Sequence, residues 1–546
     1  MSTAAAAPVE SEPVSYEHRQ ILAIISGLML GMFLAALDQT IVSVAIRTIA
    51  DDLKGFDIQA WATTAYLITS TITTPLYGKL SDMYGRKQFF MLAIGIFIVG
   101  SALCGLSQNM YELAGFRALQ GLGAGGLFSL ALAIIGDIVP PRERARYQGY
   151  FLAVFGTSSV LGPVLGGFFA GTDSIIGITG WRWVFWVNVP IGLIAMVVVA
   201  RVLHLTPHRN EHRIDWPGSL SLVVALVPLL TVAEQGRTWG WGSGRSLACY
   251  VIGAIGLVAF LLAERAYGDE ALLPLRLFKG RTFAIASLSS TIVGMAMFGG
   301  LLVLPLYLQV VKGSSPTKGG LQTLPLVLGI MIGSVISGQL IARTGRYRIF
   351  PIIGSTLMVV ALFLFSRVGA DTSLVLVMIV MLIMGLGLGG NMQPVVTAVQ
   401  NASSPREIGV STAAVTFFRQ MGGTAGAAIF LSVLFSTIGG RIGDQFTKAQ
   451  RTPQFQAAAQ AHPDQAKSLQ GSGSGSSLED TSFLKHLDPA LAHPFRAGFA
   501  SSMDLIFVLA GFVMLAGLVV ILFLPDLPLR SRSAAQARAE EAVPAT

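Results

Sequence analysis

The sequence predicts an all-α polytopic membrane protein with fourteen transmembrane helices, two six-helix bundles and two further helices between them. Three observations carry this expectation. Of 546 residues, 53% are hydrophobic and only 12% charged, with a mean hydropathy of +0.66, whereas a soluble domain carries roughly 25% charge. Fourteen apolar runs separate along the chain, and at about 20 residues each they use roughly 280 residues, close to the number of hydrophobic residues present. Finally, the first and last six runs repeat the same short motifs in the same order. Together these exclude a soluble enzyme, a nucleic-acid binder and a disordered scaffold.

The first run, 21–46, follows a polar tail (1–20) with no basic region ahead of a short apolar core. It is expected to remain as a signal-anchor span. Runs at 58–78, 88–107, 112–136, 147–171 and 183–203 complete the first bundle, 21–203. The inserted pair occupies 216–234 and 247–266 within 204–281, and runs at 282–309, 320–342, 349–367, 372–398, 409–436 and 502–525 form the second bundle, 282–525. Residues 437–500, rich in Gln, Ala, Ser and Gly and including the Gly471–Ser477 run, read as a flexible external loop with a short helix in the Ala/Gln part. Residues 526–546 form an Ala/Arg/Glu tail whose end, from 528, has the composition of a disordered segment.

Charge sets the orientation. An even number of spans puts both termini on one side. With the termini inside, inner loops hold Lys79, Arg86 and Lys87; Arg142, Arg144 and Arg146; Arg201, Arg209 and Arg213; and Arg265, Arg276, Lys279 and Arg281. Arg343, Arg346, Arg348 and Arg406 continue the series, while short outer loops carry only Lys54, Arg182, Arg237, Arg245, Lys312, Lys318 and Arg367. Cytoplasmic termini follow from that asymmetry. The net charge of +8 is therefore a matter of topology and not of nucleic-acid binding. Cys104 and Cys249 both lie in apolar runs and read as two buried thiols.

The internal repeat is specific. Gly78-Lys-Leu-Ser-Asp-Met-Tyr-Gly-Arg86 has a partner in Gly338-Gln-Leu-Ile-Ala-Arg-Thr-Gly-Arg346, 260 residues on. Gly121-Leu-Gly-Ala-Gly-Gly126 matches Gly385-Leu-Gly-Leu-Gly-Gly390, and Pro141-Arg-Glu143 matches Pro405-Arg-Glu407, both at an offset of 264. Transporters with a central site are commonly built from such repeated halves.

At these residues the chain resembles the major facilitator superfamily. Gly78–Lys87 is similar to the loop-2/3 motif of that family, and Arg117 with its Gly-rich run to the span-4 motif. Gly162-Pro-Val-Leu-Gly-Gly167 resembles the span-5 antiporter motif of exporters, with Ser158 where the family has Gly. Leu37-Asp-Gln-Thr-Ile-Val-Ser-Val-Ala45 and Trp181-Arg-Trp-Val-Phe-Trp-Val-Asn-Val-Pro-Ile-Gly192 resemble the fourteen-span drug:proton antiporters. The resemblance implies the major facilitator fold and proton-driven export, with two bundles rocking about a central cavity.

Asp38 is the most informative residue. It lies deep in span 1, where an ionised carboxylate costs several kcal/mol unless paired, protonated or facing water. No other acid sits as clearly inside a span; Asp51 and Asp52, Glu112 and Glu234 fall at span ends. It is read as a proton-coupling site by default, with a structural hydrogen bond as the alternative. Span 4 descends as span 1 ascends, so Arg117 falls in the same outer half and a pair is geometrically possible. An adjacent Arg favours the charged carboxylate, and a separating movement favours proton uptake; a static ion pair is the alternative. Arg419, in span 13, has no evident acid to pair with and reads equally as cavity wall or structural residue. Gln309, Asn391 and Gln393 are uncharged candidates for the same wall.

The loop after span 2 reads as a gate. Asp82 is expected near Arg86 and near Asp137 at the end of span 4, and Gly78 and Gly85 are expected to permit the tight turn. The resemblance implies that this acid caps a helix N-terminus of the other half and latches the cytoplasmic side. The second copy has Ala342 at that position, so one half supplies the latch. A purely topogenic role for Lys79, Arg86 and Lys87 is the alternative. Gly162 and Pro163 should bend span 5, and Gly166 and Gly167 admit a close neighbour.

The Asn401-Ala-Ser403 sequon falls inside the cell on this topology. There is no phosphate-binding loop to support ATP hydrolysis and no His–Glu metal constellation. The reading is a non-enzymatic, monomeric efflux antiporter of the inner or plasma membrane. It needs no cofactor beyond the proton gradient, and its partners are protons, the bilayer and an amphipathic small-molecule substrate, with no nucleic acid. A dedicated exporter of one metabolite, lipid or antibiotic, a nutrient importer and a non-transporting scaffold are the alternatives.

Overall fold

The computed structural model describes residues 18–54, 60–203, 215–314, 316–404, 407–465 and 487–530. Residues 1–17 and 531–546 of the tails, the Gly471–Ser477 run, Arg209, Arg213 and Arg406 lie outside the described residues. In the first half, helices run as α1 (His18–Asp52), α2 (Ala60–Tyr84), α3 (Arg86–Cys104), α4 (Met110–Ile138), α5 (Pro141–Gly171) and α6 (Asn188–Val202). The inserted pair is α7 (Trp216–Trp239) and α8 (Gly244–Tyr267). The second half contains α9 (Arg281–Leu306), α10 (Leu324–Thr344), α11 (Ile349–Phe365), α12 (Leu374–Ala402), α13 (Ile408–Ala449) and α14 (Pro489–Ile521). Among the described residues, 12 helices are long and apolar enough to cross a membrane. The other two positions are filled by α11, apolar but only 17 residues long, and by the 25-residue α2, rich in threonine between Thr63 and Thr74. Those hydroxyls turn back onto their own helix, as Thr69 does on Ala65 and Thr73 on Thr69. The 3.6-residue ladder survives a polar composition because these donors find acceptors on their own helix.

The sequence repeat is a structural repeat. In the first half the glycine run of α4 lies between α2 and α3: Gly125 meets the Ser70 carbonyl and Gly123 the Ala93 carbonyl. In the second half the run of α12 lies between α10 and α11 in the same way, with Gly389 on Ile330 and Gly387 on Gly354. Each bundle has its own core, around Phe90, Phe97 and Leu127 in the first and around Met358, Met384 and Phe507 in the second. A third cluster joins them along α2 and α13 and takes in the inserted pair, through Ile68, Ile72, Leu222, Leu226 and Phe417. The pair is central in sequence but flanking in space: α7 packs on α2 and α13, while α8 exposes Val251, Ile255, Val258 and Leu262, as a lipid-facing helix would.

Residues 437–500 hold the short helix expected in their Ala/Gln part but are more helical on either side of it than the expected loop. Helix α13 continues to Ala449, a short helix spans Pro453–Ala461, and α14 starts at Pro489. Phe446 packs edge-on against Phe455 and Phe495, and Ile442 lies on Gly498. These apolar residues recur at helical spacing inside a polar composition, so burial extends the helices beyond the apolar runs. Cys104 and Cys249 are both free, the first buried.

Exposed Thr344, at the end of α10, and exposed Gln454, in the first turn of the short helix, should lie on opposite sides of the membrane. In a Cys249→Ser background, single cysteines there should react oppositely with an impermeant thiol reagent in intact cells, only position 454 being labelled. Labelling of both, or of 344 alone, overturns the orientation.

Candidate functional site

Asp38 is fully buried in α1, roughly 30 Å along the helix from its start. Arg117 of α4 donates to its Oδ2 at 2.5 Å. Gln120, one turn on from Arg117, donates to Oδ1 at 2.9 Å, and Asn188 of α6 donates to the same oxygen at 3.0 Å. Arg117 also donates to the Ala62 carbonyl and to Gln120 Oε1, and its guanidinium lies 4.0 Å from the centre of the Tyr66 ring. Ser101 and Cys104 of α3 close the network through contacts with Gln120. A buried ion pair is favourable only when its remaining donors and acceptors are met, and here α2, α3, α4 and α6 supply partners.

The expected pair thus forms, but both partners belong to the first bundle. A rigid rocking of one bundle against the other does not separate them. Sequence reasoning missed Gln120, Ser101 and Asn188, which are uncharged. The Trp181–Gly192 motif containing Asn188 was visible, but nothing in the sequence tied it to Asp38. It also missed two acids inside helices, Asp504 half-buried and Glu264 buried. Asp504 lies 15 residues inside α14 because that helix starts earlier than the apolar run, and its Oδ1 is buried without a partner. Glu264, near the end of α8, is 1% exposed and accepts from the Leu273 N–H at 2.9 Å.

The antiporter-like stretch of α5 is set against α1 directly beyond Asp38. Gly162 faces Thr40 and Gly166 faces Ile41, and the Thr40 hydroxyl donates to the Ser158 carbonyl at 3.0 Å. Pro163 abuts Gly320, in the short helix Pro316–Gln322 of the other half. Gly167 is half-buried on the same helix.

The residues expected to form a gate come together from α2, α3, α4 and α13. Gly85, at φ 112°, ends α2 and starts α3, a conformation only glycine adopts freely. Arg86 is thereby turned inward, pairing with Asp82, with Asp137 at 2.8 Å and with the Ser81 hydroxyl at 2.7 Å. Asp82 Oδ2 accepts from the Val410 N–H at 2.9 Å. That amide is one of the orphan donors in the first turn of α13, where a carboxylate is electrostatically favoured. Gly78 does not make the turn as expected. It is helical, and its missing Cβ lets Ala413 of α13 approach. Close by, Gln400 of α12 donates to the Leu132 carbonyl of α4 at 3.2 Å. All of these contacts lie at one face, where α1 begins and α14 ends. They seal the two halves together there, whereas α1 and α9 make no extended contact among the described residues.

The four cavity candidates do not converge. Asn391 is a correction: its amide donates to the Ser355 hydroxyl at 2.7 Å and ties α12 to α11. Gln393 is buried with Oε1 unbonded. Gln309 is exposed on a π-helical turn, Tyr307–Val311, roughly 22 Å along α9 from Gly294. Gly294 backs Arg419, which is half-buried. The next residue, Gln420, accepts from Thr74 at 3.2 Å across the seam.

The model of the Major Facilitator Superfamily matches residues 28–427. An uncharacterized MFS-type transporter of Mycobacterium tuberculosis (strain ATCC 25618 / H37Rv) is 37% identical over 507 residues, 93% of this chain and 70% of that protein. Multidrug resistance protein 3 of Bacillus subtilis (strain 168) is 35% identical over 502 residues, 92% and 94% of the two chains. Among solved structures, the human organic anion transporter MFSD10 (TETRAN) superposes with a TM-score of 0.57 at 15% identity, over 90% of this chain and 99% of that one.

Replacing Asp82 by Asn removes the charge that caps α13 and should weaken the sealed state by about 1–2 kcal/mol, a roughly 5- to 30-fold change in the conformational equilibrium. Spin labels at exposed Tyr84 and Thr344 should report a larger population of separated ends, with membrane expression near normal. An unchanged distance distribution would reduce the loop to a topological signal.

Proposed function

The chain belongs to the major facilitator superfamily, and from that premise we propose that it is a proton-coupled exporter of amphipathic small molecules, drugs and dyes among them. The observation that carries the proposal is Asp38. It is a fully enclosed carboxylate held by Arg117, Gln120 and Asn188, which is the equipment of a group that must exist both charged and neutral inside a membrane. The export direction rests on the α5 stretch beside it and on relatives carrying the names Multidrug resistance protein 3 and Multidrug transporter protein MdtP.

In this reading the termini are cytoplasmic, the protein works as a monomer in the inner or plasma membrane, and the sealed face is the cytoplasmic gate. The conformation is then outward-open. A proton from outside neutralises Asp38 as substrate leaves. The gate opens inward, the proton is lost to the cytoplasm, and substrate from inside takes its turn. The proton gradient supplies the energy. A dedicated exporter of one metabolite, lipid or antibiotic would use the same machinery. Growth inhibition by a chemically diverse panel of toxic compounds, with and without the gene, separates broad from dedicated export.

Asn at position 38 keeps the size and one acceptor but cannot ionise. Asp38→Asn should reach the membrane and lose uphill transport in proteoliposomes under an imposed pH gradient, while Asp38→Glu retains part of it. If Asp38→Asn concentrates substrate as steeply as the unaltered protein, Asp38 is not the coupling carboxylate.

A further inference from the structure

The Trp181–Gly192 segment is pinned residue by residue. The Trp181 indole donates to Asp52 at the end of α1 at 2.7 Å, and Arg182 donates to the Gly105 and Ser107 carbonyls at 2.7 and 3.0 Å. The Trp186 indole donates to the Ala102 carbonyl, and the Ser101 hydroxyl donates to the Phe185 carbonyl at 2.8 Å. Gly192, one turn into α6, lets Ile98 and Leu34 approach. These anchors deliver the first residue of α6, Asn188, to the carboxylate. Its Nδ2 donates to Asp38 at 3.0 Å and to the Ser101 hydroxyl at 3.1 Å. Its own Oδ1 is buried and has no hydrogen-bond partner.

An ionised carboxylate only accepts, and once protonated it must also donate. The Gln120 carbonyl oxygen is already taken by Arg117 at 2.7 Å. Among the three side chains that donate to Asp38, the unused acceptor is Asn188 Oδ1, half a turn of the amide away. We propose that Asn188 is a positioning residue for proton coupling, its amide turning over as Asp38 changes protonation state. With Asp38 ionised, Nδ2 donates to the carboxylate. When a proton from water binds Asp38, the new O–H donates to Oδ1. One O–H bond forms at Asp38, the proton leaves water, and nothing else is transferred. This rests on the reading of Asp38 as the proton site. The other titratable groups facing Asp38 are Arg117 from α4, Tyr66 from α2 and Cys104 from α3. Near Asp38, α5 and α6 present the uncharged Ser158 and Asn188.

The test uses the purified full-length protein in liposomes and needs no substrate. Infrared spectra over a pH titration report the C=O stretch of protonated carboxylic acids, and the band lost in Asp38→Asn belongs to Asp38. A hydrogen bond to a charged group is worth more than one to a neutral group, so Asn188→Leu should cost the carboxylate more than the acid. The titration midpoint should then rise by roughly 0.5–1 pH unit, and the C=O stretch should move to higher frequency as the acid loses its acceptor. Asn188→Gln, which keeps the amide, should restore both toward the unaltered protein. Ser101→Ala loosens the amide without removing a direct partner of Asp38 and should give a smaller shift in the same direction, carrying the test should Asn188→Leu fail to fold. An unmoved midpoint and band in whichever of these variants fold would make Asn188 a packing residue and overturn the proposal. If no titrating band disappears in Asp38→Asn, the proton-site reading itself fails, a result distinct from any outcome at position 188.

Discussion

A carboxylate enclosed in a membrane persists only where other groups replace its water. At Asp38 that replacement draws on α1, α2, α3, α4 and α6, and it fixes how these helices must meet. Arg117 and Gln120 are three residues apart on one face of α4, so both reach the same carboxylate. Gly123 and Gly125, just beyond, bring α4 against its neighbours closely enough for that reach. The entry into α6 answers the same demand. The backbone stays helical through Val187, at φ −59° and ψ −28°, so the grip of Trp181 and Trp186 on α1 and α3 fixes the rotation that turns Asn188 inward.

The two halves share a design but not a chemistry. Gly85 and Gly345 both end the second helix of their half with positive φ, at 112° and 71°. The glycine runs of α4 and α12 wedge between equivalent neighbours. Asp82 has no acidic counterpart, since Ala342 stands at the matching position, so the carboxylate cap on the first turn of α13 is not repeated by the matching residue of the second half. Among the described residues the second half shows no buried Asp–Arg ion pair like that of Asp38 and Arg117. One of its buried amides, Asn391, is spent on holding α11 to α12. Repetition supplies the scaffold, and departures from it mark the chemistry.

What the sequence disclosed follows from what each signal measures. Composition and hydropathy located the helices because a span must be apolar whatever it does. Asp38, Arg117, Asp82 and Gly85 were legible because a charge in an apolar run, or a glycine between two runs, is conspicuous in one dimension. Gly78 was misjudged because a turn glycine and a contact glycine are identical in sequence; only the approach of Ala413 tells them apart. Asp504 was passed over because the apolar run begins at 502 while the helix begins at Pro489, held by aromatic packing that hydropathy does not register. Asn188 and Gln120 were passed over because an uncharged amide in a helix carries no anomaly until its partner is known.

If Asp38 is the proton site, as proposed, its position constrains the mechanism further. Asp38, Arg117, Gln120 and Asn188 all belong to the first bundle, so rocking between bundles leaves their mutual distances intact. On that proposal their enclosure changes instead, and α5 touches both the second half and α1 beside Asp38. Pro163 of α5 rests on Gly320 of the second half, while Gly162 and Gly166 rest on α1 at Thr40 and Ile41, two and three residues beyond Asp38. The Thr40–Ser158 hydrogen bond crosses that contact. Sliding α5 along α1 would admit or exclude water beside Asp38 without pulling Arg117 away, which favours a hydration change over charge separation as the source of altered proton affinity. The glycines of α5 thereby acquire a physical reason. A helix that must slide tightly along another carries no side chains on the sliding face, and a proline on the same helix, short of one backbone donor, takes up the bend that the movement requires.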